Sequence, residues 1–527
     1  MRGLTRADGP GLDFVAKGHM TSDGRKDRSI IGAVRLTALV ACLLAAGCGQ
    51  PASGRRLVIA VPSGPLSLLP HSTNEEFAAM VYSNIYESLA DFDAKLGLVP
   101  QLAETWYTED DRTWLFRLRA GSRFHDGKLL EASDVVASLE RIRTDSASTR
   151  RGELSIIESL AARDAQTVVV RTRRPFGGLP HRIANAAVWR SASSPGLPPL
   201  GTGPYRVLSW RAAGDTVITA FDGHPSGPPP IREVEFRVVS KADERVRLLR
   251  EGSVHLVMDP PPGVLRSLSG AASVRVVGEM GLRVIFLGLQ HARPPLDDRR
   301  LRQAVALAVD REALVLGPLE GRAELIDQIV APAVFGYDHT LPAHAHDPAA
   351  ARRLVEATHH PAHHAIELEY MPSKYQAMPA VAERIAADLK AAGMSVVLQP
   401  RETIELFARV ERHEPTMFLM GWTCSGGDAA VTYNYLLRTP AEGYGSYNGG
   451  SYSNPELDDL LERAGSLLQH PQRDTLLARV ARVVHHDVAV VPLYRQADLY
   501  LTHQDLVLMP RLDRRIQCAS LRWRTDR

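Results

Sequence analysis

Apolar residues recur with two different periods along this chain, and the two periods predict an alternation of strands and helices. At 114–119 Trp114, Phe116 and Leu118 alternate with Leu115, Arg117 and Arg119, and at 366–370 Ile366, Leu368 and Tyr370 alternate with Glu367 and Glu369. Both stretches predict strands with one buried face. The apolar runs at 57–61 and 417–420 read as buried strands, and 168–171 and 206–210 as further strands. Helical spacing takes over at 301–315, where Leu301, Val305, Ala308 and Val309 share one face behind Asp297 and Asp298. It returns at 380–392, where Val381, Ile385 and Leu389 line up and Gly393 ends the run. With strands predicted at 366–370 and 395–399, this last helix completes a βαβ unit, which should be parallel and right-handed. A further helical stretch is predicted around 82–89.

Between 98 and 141 a strand, a turn at Asp126-Gly127 and a helix carrying Val135, Val136 and Leu139 follow one another, with Ser133 or Asp134 as the cap. His125 and Asp126 fit a hydrogen-bonded turn, since no nucleophile or metal-ligand spacing accompanies them. Gly201-Thr202-Gly203-Pro204-Tyr205 leads into a strand and lacks a following Lys-Ser/Thr, so it reads as a crossover or hinge, not a phosphate loop. The loop at 223–230 is a stiff spacer.

A chain of 527 residues is long enough for two or more lobes. Its 62 Lys+Arg nearly balance 60 Asp+Glu, so no concentrated positive surface for nucleic acid is expected. Arg25, Lys26, Arg28 and Arg35 precede an apolar run at 36–44 that ends in Ala45-Ala46-Gly47-Cys48. That order is a secretory signal, too short for a membrane span. The ending resembles a bacterial lipobox, which implies that Cys48 is the first mature residue and carries the lipid, although Ala45 stands where Leu is commonest. Met20 is a second candidate start. Only Cys424 and Cys518 remain after the leader; sequence leaves open whether they pair. There is no zinc-type CxxC cluster.

The 98–141 block resembles the bacterial extracytoplasmic solute-binding proteins of family 5, which feed peptide and nickel ABC importers. Tyr86-Glu87-Ser88-Leu89, the turn at 201–207, Pro295-Leu296-Asp297 through Arg311, the helix start at 347–354, Tyr452-Ser453-Asn454-Pro455 with Leu457-Asp458, and Pro492-Leu493 extend the likeness from about 57 to 493. The resemblance implies the large, type II periplasmic-binding-protein fold, with two α/β lobes that close on a hinge. It divides the chain into a signal peptide with lipobox (1–48), a first part of lobe I (49–97), an inserted subdomain (98–199), a second part of lobe I (200–282), lobe II (283–490) and a return to lobe I (491–527). It also implies a peptide-like or other polar small solute, membrane permease subunits as partners, a lipid anchor at Cys48, a monomer and no cofactor.

The richest candidate for a ligand site is 420–428, where an apolar strand enters a glycine-rich turn bearing Trp422, Thr423, Ser425 and Asp428. Ligands collect at such strand ends in α/β sheets. In peptide-binding relatives an aspartate, which pairs with the ligand's α-amino group, occupies the position of Ser425. A serine lacks the charge-assisted bond, roughly twice as strong, that a carboxylate offers an ammonium. Where dipeptide-binding relatives place an arginine for the carboxylate, this chain has Met378-Pro379-Ala380, and Lys374 is the nearest cation. A ligand other than a free dipeptide is therefore expected, held partly by backbone groups.

His339, His344 and His346, with His359, His360, His363 and His364, open a nickel- or metal-complex-binding alternative of the same fold. The place of His359, His360, His363 and His364 between a helix and the strand at 366 favours a solvated loop for that stretch. A periplasmic hydrolase is the alternative of another class. It lacks a G-x-S-x-G elbow and a metalloprotease helix motif. A sensor on the same fold would need an attached signalling module.

Overall fold

Two long antiparallel strands, Val274–Leu289 and Val490–His503, form the spine of the molecule. The computed structural model describes residues 55–524 apart from 74, 192–197, 262, 269–272, 359–364, 425, 442–443 and 469. The spine lies at the centre of one mixed sheet. On one side follow Leu256–Met258, Leu57–Val61, Glu233–Val238, Thr216–Ala220 and Tyr205–Trp210; on the other, Met417–Thr423, Ile366–Tyr370 and Val396–Pro400.

Each half of the sheet contains a parallel group. Leu57–Val61 is parallel to both Glu233–Val238 and Leu256–Met258, and Ile366–Tyr370 is parallel to both Val396–Pro400 and Met417–Thr423. The predicted βαβ unit is thus present, with its helix at Met378–Ala391 and Gly393 in the left-handed region at φ 92°. Parallel strands covered by helices are buried on both faces, and the burial of all five residues of Leu57–Val61 fits that.

A separate four-stranded antiparallel sheet, in the order Ala103–Thr108, Thr113–Leu118, Thr167–Thr172, Ile157–Ala162, packs against the helix Ala132–Thr144. Trp114, Phe116, Leu118, Val135 and Leu139 meet in its core. Asp134 accepts a hydrogen bond from the Glu131 N–H at 3.1 Å, closing the N-terminal turn of that helix. His125 ties the neighbouring turn to the glycine-rich crossover: the Gly201 N–H donates to His125 Nδ1 at 3.3 Å, and Nε2 donates to the Gly203 carbonyl at 3.1 Å. Gly201 is required there because a Cβ would sit 2.0 Å from the Ile85 carbonyl oxygen.

Three local expectations shift. The helix predicted around 82–89 is Glu76–Ile85, capped by the Glu75 carboxylate. The helix predicted over 301–315 is two helices, Arg299–Ala308 and Arg311–Leu316, because Val309 is extended and Asp310 caps the second by accepting from the Ala313 N–H. The helix cap expected at Ser133 or Asp134 is Glu131, and Asp134 is the third residue of the helix. The ring of His344 stacks on His485 with centroids 3.9 Å apart. Cys424 and Cys518 are free thiols buried in different cores.

Candidate functional site

Strand direction alone locates the cleft. Met258 lies opposite Tyr500 and Leu256 opposite Thr502, so the carboxyl end of this strand points toward the middle of Val490–His503. Thr423 lies opposite Arg283 and Met417 opposite Leu289, so the carboxyl end of Met417–Thr423 points toward the same middle from the other lobe. Ligands of open α/β sheets collect outside carboxyl ends. Here two sets of them face each other across the spine, whose register is broken between Met280 and Val284.

The floor of this cleft is charged. Arg514, buried on the returning segment, forms ion pairs with Asp498 at 2.5 Å, Asp259 at 2.6 Å and Glu76 at 2.7 Å. Glu76 opens the helix Glu76–Ile85, and Asp259 follows the strand Leu256–Met258. Burial acts to lower the Arg514 pKa, but the three carboxylates outweigh it and hold it above the ordinary arginine value. Burial pushes the Asp498 carboxyl up to about 6 against the pull of Arg514. Two residues here hold left-handed backbone, Asp259 at φ 48° and Arg514 at φ 62°. Such strain costs on the order of 1–3 kcal/mol per residue and persists where surrounding contacts over-determine it.

Trp422 and Thr423 are the last residues of their strand and therefore point to opposite faces. Thr423 shares its face with Arg283, Gly421 and Ile285. Tyr375 joins them, its hydroxyl donating to the Gly421 carbonyl at 3.2 Å and its ring lying 5.7 Å from the Arg283 guanidinium. Trp422 turns the other way. Its indole N–H donates to Thr432 Oγ1 at 3.1 Å, and its ring packs between Tyr447 and Tyr435 at 5.4 and 6.1 Å. Lys374 is exposed on the loop before Met378–Ala391 and makes no ion pair among the described residues. Ser425 and Cys48 lie outside the described residues, as do His359, His360, His363 and His364.

Asp428 is the expected ligand contact whose carboxylate is already engaged. It caps the helix Ala429–Leu436 by accepting from the Ala430 N–H at 2.9 Å and pairs with buried Arg473 at 2.6 Å. Burial alone would raise its pKa, yet Arg473 and His181 bring the net shift below the ordinary carboxylate value. The turn before it needs glycine: Gly427 has φ 64°, and a Cβ there would approach the Leu96 carbonyl oxygen to 3.3 Å. Gly427→Ala is therefore expected to cost about 1–2 kcal/mol, read as a lower urea midpoint.

Beside this turn an open cavity of about 700 Å3 is lined by Lys95, Trp106, His181, Phe335, Tyr337 and His339 among others. Among the described residues no group of three or more His, Cys, Asp or Glu side chains is placed to hold a metal ion. The sequence reading missed Glu76, Asp259, Asp498, Arg514 and Tyr375, which come together only in the fold. Arg283 had one local signal, a cation inside an otherwise apolar run.

The model of the bacterial extracellular solute-binding proteins, family 5 middle region, matches residues 97–444. A probable di/tripeptide-binding protein of Pseudomonas aeruginosa is 27% identical over 502 residues, covering 85% of this chain and 94% of the relative. The dipeptide-binding protein of Escherichia coli is 26% identical, with 77% and 82% covered. The glutathione-binding protein GsiB of Pectobacterium atrosepticum is 25% identical, with 80% and 84% covered. Among solved structures, the ABC transporter substrate-binding protein CtaP of Listeria monocytogenes superposes with a TM-score of 0.81 at 19% identity, over 90% of this chain and 100% of its own. The periplasmic binding protein DppA of Helicobacter pylori, in complex with the peptide STSA, does so with a TM-score of 0.77 at 20% identity, over 89% and 98%. The fold is the type II periplasmic-binding-protein fold expected from the sequence, and the chain belongs to the bacterial extracellular solute-binding proteins of family 5.

Proposed function

We propose that this protein captures a peptide-like solute between its two lobes, outside the cytoplasm, and delivers it to the permease subunits of an ABC importer. The observation that carries the reading is the convergence of carboxyl strand ends from both lobes on one charged floor. The di/tripeptide-, dipeptide- and glutathione-binding relatives support a peptide-like ligand. Closure around that ligand follows from differential affinity: a solute touching both lobes binds the closed state better and shifts the population toward it. Nothing covalent is required.

Within this reading Trp422 offers an aromatic wall, Thr423 a hydroxyl on the opposite face and Lys374 a cation on the exposed loop before Met378–Ala391, with Ser425 as a further polar contact. Asp428 acts by capping the helix Ala429–Leu436 and pairing with Arg473. Trp422→Ala is expected to weaken capture roughly 10- to 100-fold, measured by calorimetry with the solute released from the native protein.

The reading is tested by unfolding protein purified from its own host and identifying the released small molecules by mass spectrometry. Peptides or peptide conjugates are expected; a stoichiometric metal complex or a non-peptidic solute would overturn the peptide assignment. The lipid anchor is a separate part of the proposal, resting on the Ala45-Ala46-Gly47-Cys48 order. Cys48→Ser is expected to move the protein from the membrane fraction to the soluble extracytoplasmic fraction, and unchanged membrane retention would overturn the anchor.

A further inference from the structure

We infer that Arg283 is the anchor for an acidic group of the ligand, in place of the cation missing at Met378-Pro379-Ala380. The inference rests on the peptide-capture reading and names the chemistry of that same site.

Arg283 stands beside the register break at the middle of the spine, directly opposite Thr423. Its guanidinium lies over the Tyr375 ring, and Tyr375 is itself fixed to the Gly421 carbonyl. An aromatic platform of this kind orients a planar guanidinium while leaving its edge for a carboxylate. The ion pairing around it is unequal. Arg514 has three carboxylate partners at 2.5–2.7 Å, whereas Arg283 reaches a single oxygen of Glu76 at 3.3 Å, and the other oxygen of Glu76 is taken by Arg514. Arg283 therefore retains donor capacity for a second acceptor, and its side chain is 17% exposed.

The same floor carries polar groups without partners among the described residues. Asp498 Oδ2 and the Tyr494 hydroxyl, on side chains 3% and 0% exposed, lie on one face of Val490–His503, which also holds Tyr500. A fully buried polar atom without a partner is rare in native proteins and calls for a bound group or an ordered water to satisfy it. The left-handed Asp259 and Arg514 flank the same floor.

Because Glu76 opens a lobe I helix while Arg283 begins the lobe II end of the spine, a ligand carboxylate on Arg283 competes with Glu76. Ligand identity is thereby coupled to the contact between the lobes.

The test uses calorimetry of the mature full chain with trialanine and with its C-terminal amide. Wild type is expected to bind the acid 10- to 100-fold more tightly, the span of one charge-assisted contact. Arg283→Gln is expected to abolish that preference, Arg283→Lys to restore part of it, and Glu76→Gln to tighten acid binding by releasing Arg283. Equal binding of acid and amide by wild type, or a preference that survives Arg283→Gln, would overturn the inference alone. A wild type that binds neither tripeptide would overturn the peptide reading and this ligand assignment with it. Parallel losses in Arg283→Gln and Glu76→Gln would mark the pair as an interlobe latch and also overturn the inference. Circular dichroism melts of each variant separate these outcomes from misfolding.

Discussion

Arg473→Ala is expected to cost about 3–5 kcal/mol of stability, because it strands the Asp428 carboxylate in a dry interior. Asp428 is 2% exposed and Arg473 5% exposed. Besides the 2.6 Å ion pair, Arg473 donates to the Ala464 carbonyl at 3.0 Å and lies 5.3 Å from the Phe335 ring. The pair thus pins together the helix that Asp428 caps, the loop at 332–337 and the long helix His470–Asp487. Asp428→Asn keeps an N-cap acceptor but leaves Arg473 uncompensated, so it should fall in the same range. Urea unfolding monitored by tryptophan fluorescence provides the measurement. If either variant unfolds at the wild-type midpoint, the carboxylate is not structural and Asp428 returns as a free ligand contact. The sign for pH is fixed as well: with a folded pKa below the unfolded one, this pair stabilises above the usual carboxylate range and loses its contribution as pH falls through it.

The second large effect is acid lability at a milder pH. Burial pushes His125, His255, His291 and His344 down to about 4. Each ring is neutral in the folded state for a structural reason. His255 Nδ1 accepts from the Val58 N–H at 2.9 Å, so a proton there breaks a bond to the central strand of lobe I. His125 Nδ1 likewise accepts from Gly201. His291 Nε2 contacts the Ala489 carbonyl at 2.9 Å beside Arg302. His344 stacks on His485, near Arg311, where a second positive charge is unwelcome. A histidine lowered on folding contributes stability that is present above its unfolded pKa of about 6.5 and lost as pH falls toward the folded value. At pH 5 that is on the order of 1–2 kcal/mol for each ring. Asp498 works in the opposite direction: its carboxyl, raised to about 6, takes up a proton in the folded state first and gains stability as pH falls from about 6 to 4. Four rings outweigh one carboxyl. Urea midpoints should therefore drop steadily from pH 7 to pH 5, and a flat profile would show that these rings protonate without disturbing their contacts.

Both effects bear on the receptor role. The Asp428–Arg473 pair fixes the start of the helix Ala429–Leu436, which follows the strand Met417–Thr423. The neutral histidines bind scaffold to scaffold: His125 joins the turn after Thr113–Leu118 to the glycine-rich crossover, and His255 joins the strand Leu57–Val61 to the loop before Leu256. These polar groups of the sequence motifs are therefore committed to the scaffold.

How much of this was legible beforehand depends on the range over which each interaction acts. Period and caps are local, so the strands Leu57–Val61 and Ile366–Tyr370, the helix Met378–Ala391 and the glycine turn at 126–127 were readable from neighbouring residues. The ordered family likeness carried the fold class and the receptor role, since it spans most of the chain. The break at Val309 was missed because apolar spacing continues through it, and only the Asp310 cap reveals two helices.

The sequence by itself determined the α/β alternation, the βαβ unit and the family, because these follow from hydrophobic period, turn chemistry and motif order. Only the tertiary structure decided which polar groups are available. It committed Asp428 to Arg473, turned Trp422 and Thr423 to opposite faces, and drew Glu76, Asp259, Arg283, Asp498 and Arg514 from distant segments onto one floor. A charge's partner is set by distance in space and by the low dielectric of the interior, and neither is written in the order of neighbouring residues.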